Sequence, residues 1–175
     1  MVEITLNGAP VALDVPPDAS LLHALRGPAG LSGPRFGCGN EQCGSCMVLL
    51  DGVPAYACTL AAAACAGRAV VTVEGLGTPD APHPLQAAFL AEQAGQCGYC
   101  LAGILVSAAA LLAKDPDPAE AVIRAALDPH LCRCGSHNRI VRAVQRAARE
   151  MRPPSDRRRA QAEPSTGDVN RMATP

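Results

Sequence analysis

The sequence predicts an α+β protein in which a small mixed sheet, crossed by one helix, precedes a set of helices. Three observations support this class. Strand and turn signals, with alternating apolar and polar side chains in the first hairpin, occur over about the first 75 residues. After a segment at 77–84 that contains Pro and Gly, helical periodicity replaces the strand signals. Eight of the nine cysteines form two sets of four, one set in each half.

A hairpin is predicted at the start of the chain. Side chains alternate over Val2–Leu6, and Asn7-Gly8 follows, which is the strongest short signal for a two-residue turn. The alternation resumes beyond the turn at Val11, Leu13 and Val15. Two antiparallel strands therefore begin the sheet.

One helix and three strands complete the predicted sheet half. Ser20 is placed to cap a short helix at 21–26. The segment 27–44 is rich in Gly, Pro and Cys, which predicts a shaped loop. Beyond it the sequence predicts a strand at 47–50, a turn at 51–52, a strand at 55–58, one or two helical turns at 59–66 and a last strand at 70–73.

The second half is predicted to be helical throughout. The helices fall at 85–94, 100–113, 118–127 and 139–151, with Pro118 suited to a first turn. In the last helix Ile140, Val141 and Val144 share one side. The domain organisation expected is 1–76, a linker at 77–84, 85–152, and a tail at 153–175 whose composition predicts disorder.

Composition and charge exclude several classes of function. The chain has 15 basic and 16 acidic residues, so no overall basic field exists to hold nucleic acid. No apolar run approaches the roughly 20 residues of a membrane span. The start lacks the basic region of a signal peptide, so we expect a cytoplasmic protein. Thiols stay reduced in that compartment, and nine cysteines there indicate metal ligands before disulfides.

The first set of cysteines is spaced for an iron–sulfur cluster. Its order is C-x4-C-x2-C with a fourth cysteine further on, which is the plant-type ferredoxin spacing for [2Fe–2S]. Three thiolates must converge on one compact cluster from a single loop, and the glycines let the backbone wrap closely and aim its N–H groups at the sulfides. The ligands predicted are Cys38, Cys43, Cys46 and Cys58, with Gly37, Gly39 and Gly44 shaping the loop.

The second set lies at predicted helix termini. The ligands predicted are Cys97, Cys100, Cys132 and Cys134. The N-terminal N–H groups and dipole of a helix stabilise an anionic thiolate cluster. By spacing alone this set could also hold a structural zinc ion through four thiolates.

Other interpretations of the cysteines and histidines stay open at this point. A disulfide framework suits a small exported chain better than this one. Two structural zinc ions would account for the second spacing but not for the first. We expect Cys65 to be a small buried thiol. The four histidines are expected to be surface or capping residues: His23, His83, His130 and His137. Tyr99 either shields a cluster from water or simply packs.

The motifs resemble those of one family. The first set is similar to the N-terminal ferredoxin domain of molybdenum hydroxylase iron–sulfur subunits, with the residues Cys38-Gly39, Cys43-Gly44, Cys46 and Cys58. The second cluster motif of that family resembles Gln96-Cys97-Gly98-Tyr99-Cys100 and Leu131-Cys132-Arg133-Cys134. The resemblance spans about residues 1–152 and is to the xanthine oxidase family in its split bacterial form.

This resemblance implies a β-grasp ferredoxin-like domain, a C-terminal four-helix bundle and two [2Fe–2S] clusters. It also implies a partner large subunit that carries a molybdenum–pterin cofactor, in bacteria usually with cytosine dinucleotide. The cluster of the helical domain would lie nearest the molybdenum, with Gln96 and the region of Cys134 touching the pterin. The cluster of the ferredoxin domain would pass electrons outward, and substrate chemistry would stay on the partner chain.

Departures from the family pattern narrow the expected type. Many members have Thr-Pro after the second cysteine of the C-G-x-C motif, where this chain has Leu101-Ala102. The second part of the helical-domain motif resembles that of small subunits of the isoquinoline 1-oxidoreductase and nicotinate dehydrogenase types. It is Cys132-Arg133-Cys134-Gly135-x-His137 in this chain. That resemblance implies a cytochrome or dye as acceptor, while a flavin subunit is the alternative.

The sequence therefore predicts the electron-transfer subunit of a molybdenum hydroxylase that acts on an N-heterocycle or an aldehyde. No residue of this chain is expected to perform acid–base catalysis. Two alternatives are a stand-alone adaptor with structural zinc and a free ferredoxin. The second of these leaves the helical half and its four cysteines without a role.

Overall fold

The computed structural model describes residues 1–153, and it confirms the α+β class. The predicted disordered tail lies, from residue 154 onward, outside the described residues. The elements in chain order are β1 (Val2–Leu6), β2 (Ala9–Leu13), α1 (Leu21–Arg26), β3 (Met47–Leu50), β4 (Val53–Tyr56), β5 (Ala69–Val71), α2 (Pro84–Ala91), α3 (Leu101–Lys114), α4 (Glu120–Leu127) and α5 (His137–Met151). Short 3-10 turns lie at Ala62–Cys65 and Val73–Gly75.

The five strands form one mixed sheet in the order β2-β1-β5-β3-β4. Strands β1 and β5 are parallel, and the other neighbouring pairs are antiparallel. The predicted Asn7-Gly8 turn joins β1 to β2, and both of its residues have positive φ. Helix α1 is capped by Ser20, whose side chain accepts from the N–H of His23 at 3.2 Å. Its leucines pack against the sheet in one core.

Strand β3 is buried on both faces and joins the two halves of the protein. Val48 and Leu50 lie in the core of the sheet half. Met47 and Leu49 point to the other side, where they pack against Val106 of α3. A strand covered on both faces needs no alternation, which explains the uninterrupted apolar run of β3.

Helices α2 to α5 pack around a second core. Helix α3 is apolar on most of its surface because it contacts both the other helices and the sheet. Helix α5 buries Ile140, Val141 and Val144 as predicted, and it keeps its arginines outside the core.

Several predicted element bounds are wrong, among them those of β5, β4 and the linker. Strand β5 ends at Val71 because the Thr72 N–H donates to the side chain of Asn7 at 2.8 Å instead of to a strand. Strand β4 ends at Tyr56, so Cys58 follows the strand instead of ending it. The expected linker is shorter than 77–84, since Pro84 already belongs to α2. The His83 side chain caps that helix by accepting from the Leu85 N–H at 3.2 Å.

Within residues 1–153, no helix combines the length and apolar character that crossing a membrane requires.

The contact between β3 and α3 can be tested with Val106→Ala. Val106 is fully buried between the halves, so we expect the substitution to lower the free energy of unfolding by about 2 kcal/mol. Val122→Ala on α4 is the matched control, because that side chain is 43% exposed and its loss should cost below about 0.5 kcal/mol. Thermal unfolding of the two variants measures the difference. Equal stability would contradict the packing of α3 on the sheet.

Candidate metal centres

The first set of cysteines converges from a loop and from the end of a strand. Cys38, Cys43 and Cys46 lie in the loop between α1 and β3, and Cys58 follows β4. The thiols meet as two pairs. The side chains of Cys38 and Cys43 are hydrogen-bonded to each other, and the Cys38 N–H also donates to the Cys43 Sγ at 3.3 Å. Cys46 is hydrogen-bonded through its side chain to Cys58. The set comprises one exposed thiol (Cys38), one buried thiol (Cys46) and two between these extremes.

Backbone N–H groups and burial act in opposite directions on the thiols of this set. The N–H groups of Asn40 and Gln42 donate to the Sγ of Cys38 at 3.5 and 3.2 Å and lower its pKa to about 7. Burial raises the pKa of Cys46 to about 12, and the neighbouring thiols add to this shift. The loop thus offers N–H donors to its most exposed sulfur, as a site for anionic thiolates requires.

The loop glycines have the steric role that was predicted. Gly39 and Gly44 both adopt positive φ, at 73° and 69°. A Cβ at Gly37 would lie 2.6 Å from the Sγ of Cys43. The glycines therefore provide turns and room for the thiols, while the hydrogen bonds described above come from the N–H groups of other loop residues.

The second set repeats the arrangement on a helical scaffold. Cys97 and Cys100 precede α3, and Cys132 and Cys134 precede α5. The Sγ atoms of Cys97 and Cys134 are 3.5 Å apart, and Cys100 is hydrogen-bonded through its side chain to Cys132. Cys97 is exposed, Cys100 is buried, and the other two lie between.

The pKa shifts of the second set follow the same division. A hydrogen bond from the Tyr99 backbone, together with the Cys134 side chain, lowers the pKa of Cys97. Burial raises the pKa of Cys100 to about 12. Burial also opposes ionisation of Cys132, yet hydrogen bonds from the backbone at 134–136 and from Cys100 hold its pKa below the ordinary value.

The two sets are in direct contact through the backbone. The N–H of Leu131 donates to the carbonyl of Cys43 at 3.1 Å. Cys43 belongs to the first set, and Leu131 directly precedes Cys132 of the second. A Cβ on Gly103 of α3 would overlap the carbonyl of Gly44, so helix and loop touch closely. The two cysteine sets therefore lie next to each other, joined by backbone contacts.

Tyr99 contributes a further contact between the halves. Its hydroxyl donates to the Phe36 carbonyl, and the Arg35 guanidinium lies 5.2 Å from its ring centroid. The ring is 45% exposed. Of the two expected roles, packing between the halves is the one that these contacts describe.

The expectation that His130 is a surface or capping residue is wrong. Its side chain is 3% exposed, and its Nε2 lies 2.8 Å from the Oγ of Ser107 on α3. Burial lowers its pKa to about 4. Its partners were missed because they are distant in sequence. The sequence does contain one sign of this contact. Gly103 is an isolated glycine within α3, and Ser107 follows one turn later, which indicates close packing on that face of the helix.

The remaining predicted residues lie as follows. Gln96 is exposed beside Cys97, in a groove of about 780 Å³ that Leu90 and Arg139 also line. Cys134 is at the same end of the helical half, next to Cys97. Cys65 is fully buried, as predicted, and its Sγ lies 3.8 Å from the Ala61 carbonyl.

The donor set fits a two-iron cluster at each site. Four thiols of each set converge as two pairs, and in a [2Fe–2S] cluster each iron takes two thiolates. Among the residues that the structure describes, no three His, Cys, Asp or Glu side chains are placed to hold one metal ion. Paired thiols, N–H donors and turn-forming glycines are together the features that a cluster of this kind needs.

Comparison with known domain families agrees with this chemistry. Residues 4–69 match the model of a 2Fe-2S iron-sulfur cluster binding domain. Residues 72–145 match the model of a [2Fe-2S] binding domain. Each matched segment contains one of the two cysteine sets.

Two curated relatives match over nearly their whole length. One is a nicotinate dehydrogenase subunit from Pseudomonas putida, which is 48% identical over 153 residues that cover 87% of this chain and 98% of the relative. The other is the alpha subunit of isoquinoline 1-oxidoreductase from Brevundimonas diminuta, which is 48% identical over 151 residues that cover 86% and 99%.

A solved structure shares the fold. Quinoline 2-oxidoreductase from Pseudomonas putida 86 superposes with a TM-score of 0.81 at 36% identity, over 90% of this chain and 95% of the matched one. The predicted class, a β-grasp ferredoxin-like domain followed by a helical cluster-binding domain, is thereby confirmed. The chain belongs to the molybdenum hydroxylase (xanthine oxidase) family, as a small iron–sulfur subunit of an oxidoreductase.

Proposed function

We propose that this chain conducts electrons from a molybdenum–pterin centre on a partner large subunit to an external acceptor. The observation that carries the proposal is the convergence of eight thiols into two paired sets that a backbone hydrogen bond joins directly. A zinc adaptor would not account for the plant-type spacing of the first set. Two redox centres, by contrast, must lie close together to exchange electrons.

The residues that would hold the clusters follow from the pairs. In the ferredoxin-like domain they are Cys38 with Cys43, and Cys46 with Cys58. In the helical domain they are Cys97 with Cys134, and Cys100 with Cys132. When bound, the clusters supply one-electron redox chemistry, and the protein fixes their place, their hydrogen bonds and their access to solvent.

The helical site is proposed to face the partner subunit. Its outer pair, Cys97 and Cys134, lies at an exposed end of the helical half, and Gln96 borders the groove there. Side chains at that end are free to meet a partner, so we assign Gln96 and Cys134 to the pterin side. The ferredoxin-like site then faces the acceptor, with Cys38 as its exposed thiol.

The substrate class is proposed to be an N-heterocycle instead of an aldehyde. The relatives described above are named for nicotinate, isoquinoline and quinoline, all of which contain a ring nitrogen. The chain also has the Gly135-x-His137 form that resembles those small subunits. A cytochrome is the acceptor that this resemblance favours, and a flavin subunit remains the second candidate. The partner cofactor is proposed to be the cytosine dinucleotide form.

Iron content tests the ligand assignment. We expect the chain, purified in its complex, to contain about four iron per chain from its two clusters and to bleach on reduction. Cys46→Ala should lower the iron to about two per chain, because one set loses its buried ligand. Metal analysis and visible absorption are the measurements.

Cys65→Ala is the matched control for this experiment. Cys65 is also a fully buried thiol of the ferredoxin-like domain, but it belongs to neither pair. Its removal should leave the iron content unchanged. A colourless wild-type protein with two zinc ions, or equal iron in both variants, would refute the assignment.

The proposed order of the two sites predicts a split between two reductants. In Cys97→Ala the helical site is damaged, so the substrate should no longer reduce the ferredoxin-like site. The substrate used is the N-heterocycle that the complex oxidises, chosen from nicotinate, quinoline and isoquinoline. Dithionite, which needs no internal path, should still reduce the ferredoxin-like site. Anaerobic absorption and electron paramagnetic resonance spectra distinguish the two. Full reduction by the substrate would show that electrons reach the outer site by another path.

A further inference from the structure

His130 occupies the space between the two cysteine sets. It lies two residues before Cys132 in sequence, and its ring is packed against the backbone of Gly44, which follows Cys43. Its Nε2 is hydrogen-bonded to Ser107 of α3 at 2.8 Å, and both side chains are buried. The ring therefore touches the loop of one set, the segment of the other, and the helix behind them.

The side of the imidazole that faces Gly44 and Gly103 has no spare volume. A Cβ on Gly44 would overlap the Nδ1 of His130 and would lie 2.8 Å from its Cε1 and from the Pro129 carbonyl. A Cβ on Gly103 would lie 3.4 Å from the Cε1 of His130 and would overlap the Gly44 carbonyl. Two glycines thus clear the room that a flat ring fills, and the fit depends on the ring as much as on the glycines.

The hydrogen bonding of the ring is incomplete. The Nδ1 atom meets the backbone of Gly44 without reaching hydrogen-bond geometry, and within residues 1–153 it has no other partner. A buried polar atom left in this state lowers stability, and an apolar side chain would avoid the cost. A contribution to stability therefore does not explain the presence of a histidine at position 130. Its effect on the positions of the neighbouring segments is the better explanation.

We propose that His130 is a positioning residue that sets the spacing and orientation of the two cluster sites. Its ring packs against Gly44 of the 37–46 loop, beside the point where that loop touches α3, and its hydrogen bond to Ser107 fixes the orientation of the ring there. The hydrogen bond from the Leu131 N–H to the Cys43 carbonyl, one residue further on, then keeps the two ligand segments in register. This inference rests on the proposed function, since spacing matters only if electrons pass between the sites.

The test measures the magnetic interaction between the two reduced clusters in the assembled complex. This interaction depends steeply on their separation and orientation. We expect His130→Ala to keep both signals and an iron content of about four per chain, since all eight thiols remain. The splitting between the signals should nevertheless change by more than the line width, and the signals should broaden, because the loop settles into several positions around the void.

Two variants test the reason for the effect. Ser107→Ala removes the hydrogen bond but keeps the ring, and it should give a smaller change of splitting than His130→Ala. His130→Gln keeps a polar group that can reach Ser107, and it should restore part of the wild-type splitting.

His83→Ala is the matched control for lost stability. His83 is a partly buried histidine that caps α2 and lies outside the contact between the sets. Its removal should lower the melting temperature without changing the splitting. If His130→Ala behaves like His83→Ala, with lower stability and an unchanged splitting, the ring has only a structural role and the inference fails. Absence of [2Fe–2S] signals from the wild-type complex would instead overturn the proposed function itself.

Discussion

The structure depends on one close approach, where the loop that carries three cysteines lies against helix α3. At this point Gly44 and Gly103 bring two backbones together with no room for a side chain on either. Close packing of this kind leaves few alternative positions, because interiors of proteins are as dense as organic crystals. The sheet half supplies the loop, the helical half supplies α3 and the segment around Cys132, and neither half determines the contact alone. Strand β3, buried on both of its faces, continues the same interface away from the cysteines.

Each half carries a small apolar core, and the cysteines add constraints that such cores lack. Helices and strands are short, and the chain has no Trp and only two Phe and two Tyr to supply large buried surfaces. Small domains bury a limited share of their surface, and they commonly gain stability from metal sites. The four ligands of each set come from segments up to 37 residues apart, as between Cys97 and Cys134. A bound cluster would join those segments, so cofactor and fold stabilise each other.

The sequence was most informative where the chemistry is local. Three cysteines within nine residues and the glycines between them predicted a loop that wraps a cluster, and Gly39 and Gly44 have the positive φ that such wrapping requires. The Asn7-Gly8 turn, the Ser20 cap and the inward face of α5 were equally local and were predicted correctly. His130 was predicted wrongly because its burial depends on Ser107, which is 23 residues away, and on a loop of the other half. Strand β5 was extended too far for a similar reason, since Asn7, at a distance of 65 residues, captures the N–H of Thr72. Periodicity and spacing describe neighbours along the chain, and they carry no information on contacts of this range.

The two sites use the same physical solution on unrelated scaffolds. One is built from a loop beside a sheet and the other from the N-terminal ends of two helices, yet each has one buried thiol, one exposed thiol and two between them. In both sets, N–H donors lower the pKa of the exposed thiol while burial raises that of the inner one. An electron-transfer protein must approach a partner on one side and exclude water from its interior on the other. A ligand set with one exposed and one buried thiol meets both requirements. Each site is graded in this way, and the hydrogen bond from the Leu131 N–H to the Cys43 carbonyl joins the two sites. In the proposed function, an exposed thiol at each site would let each cluster approach a partner, which a single fully buried cluster could not do.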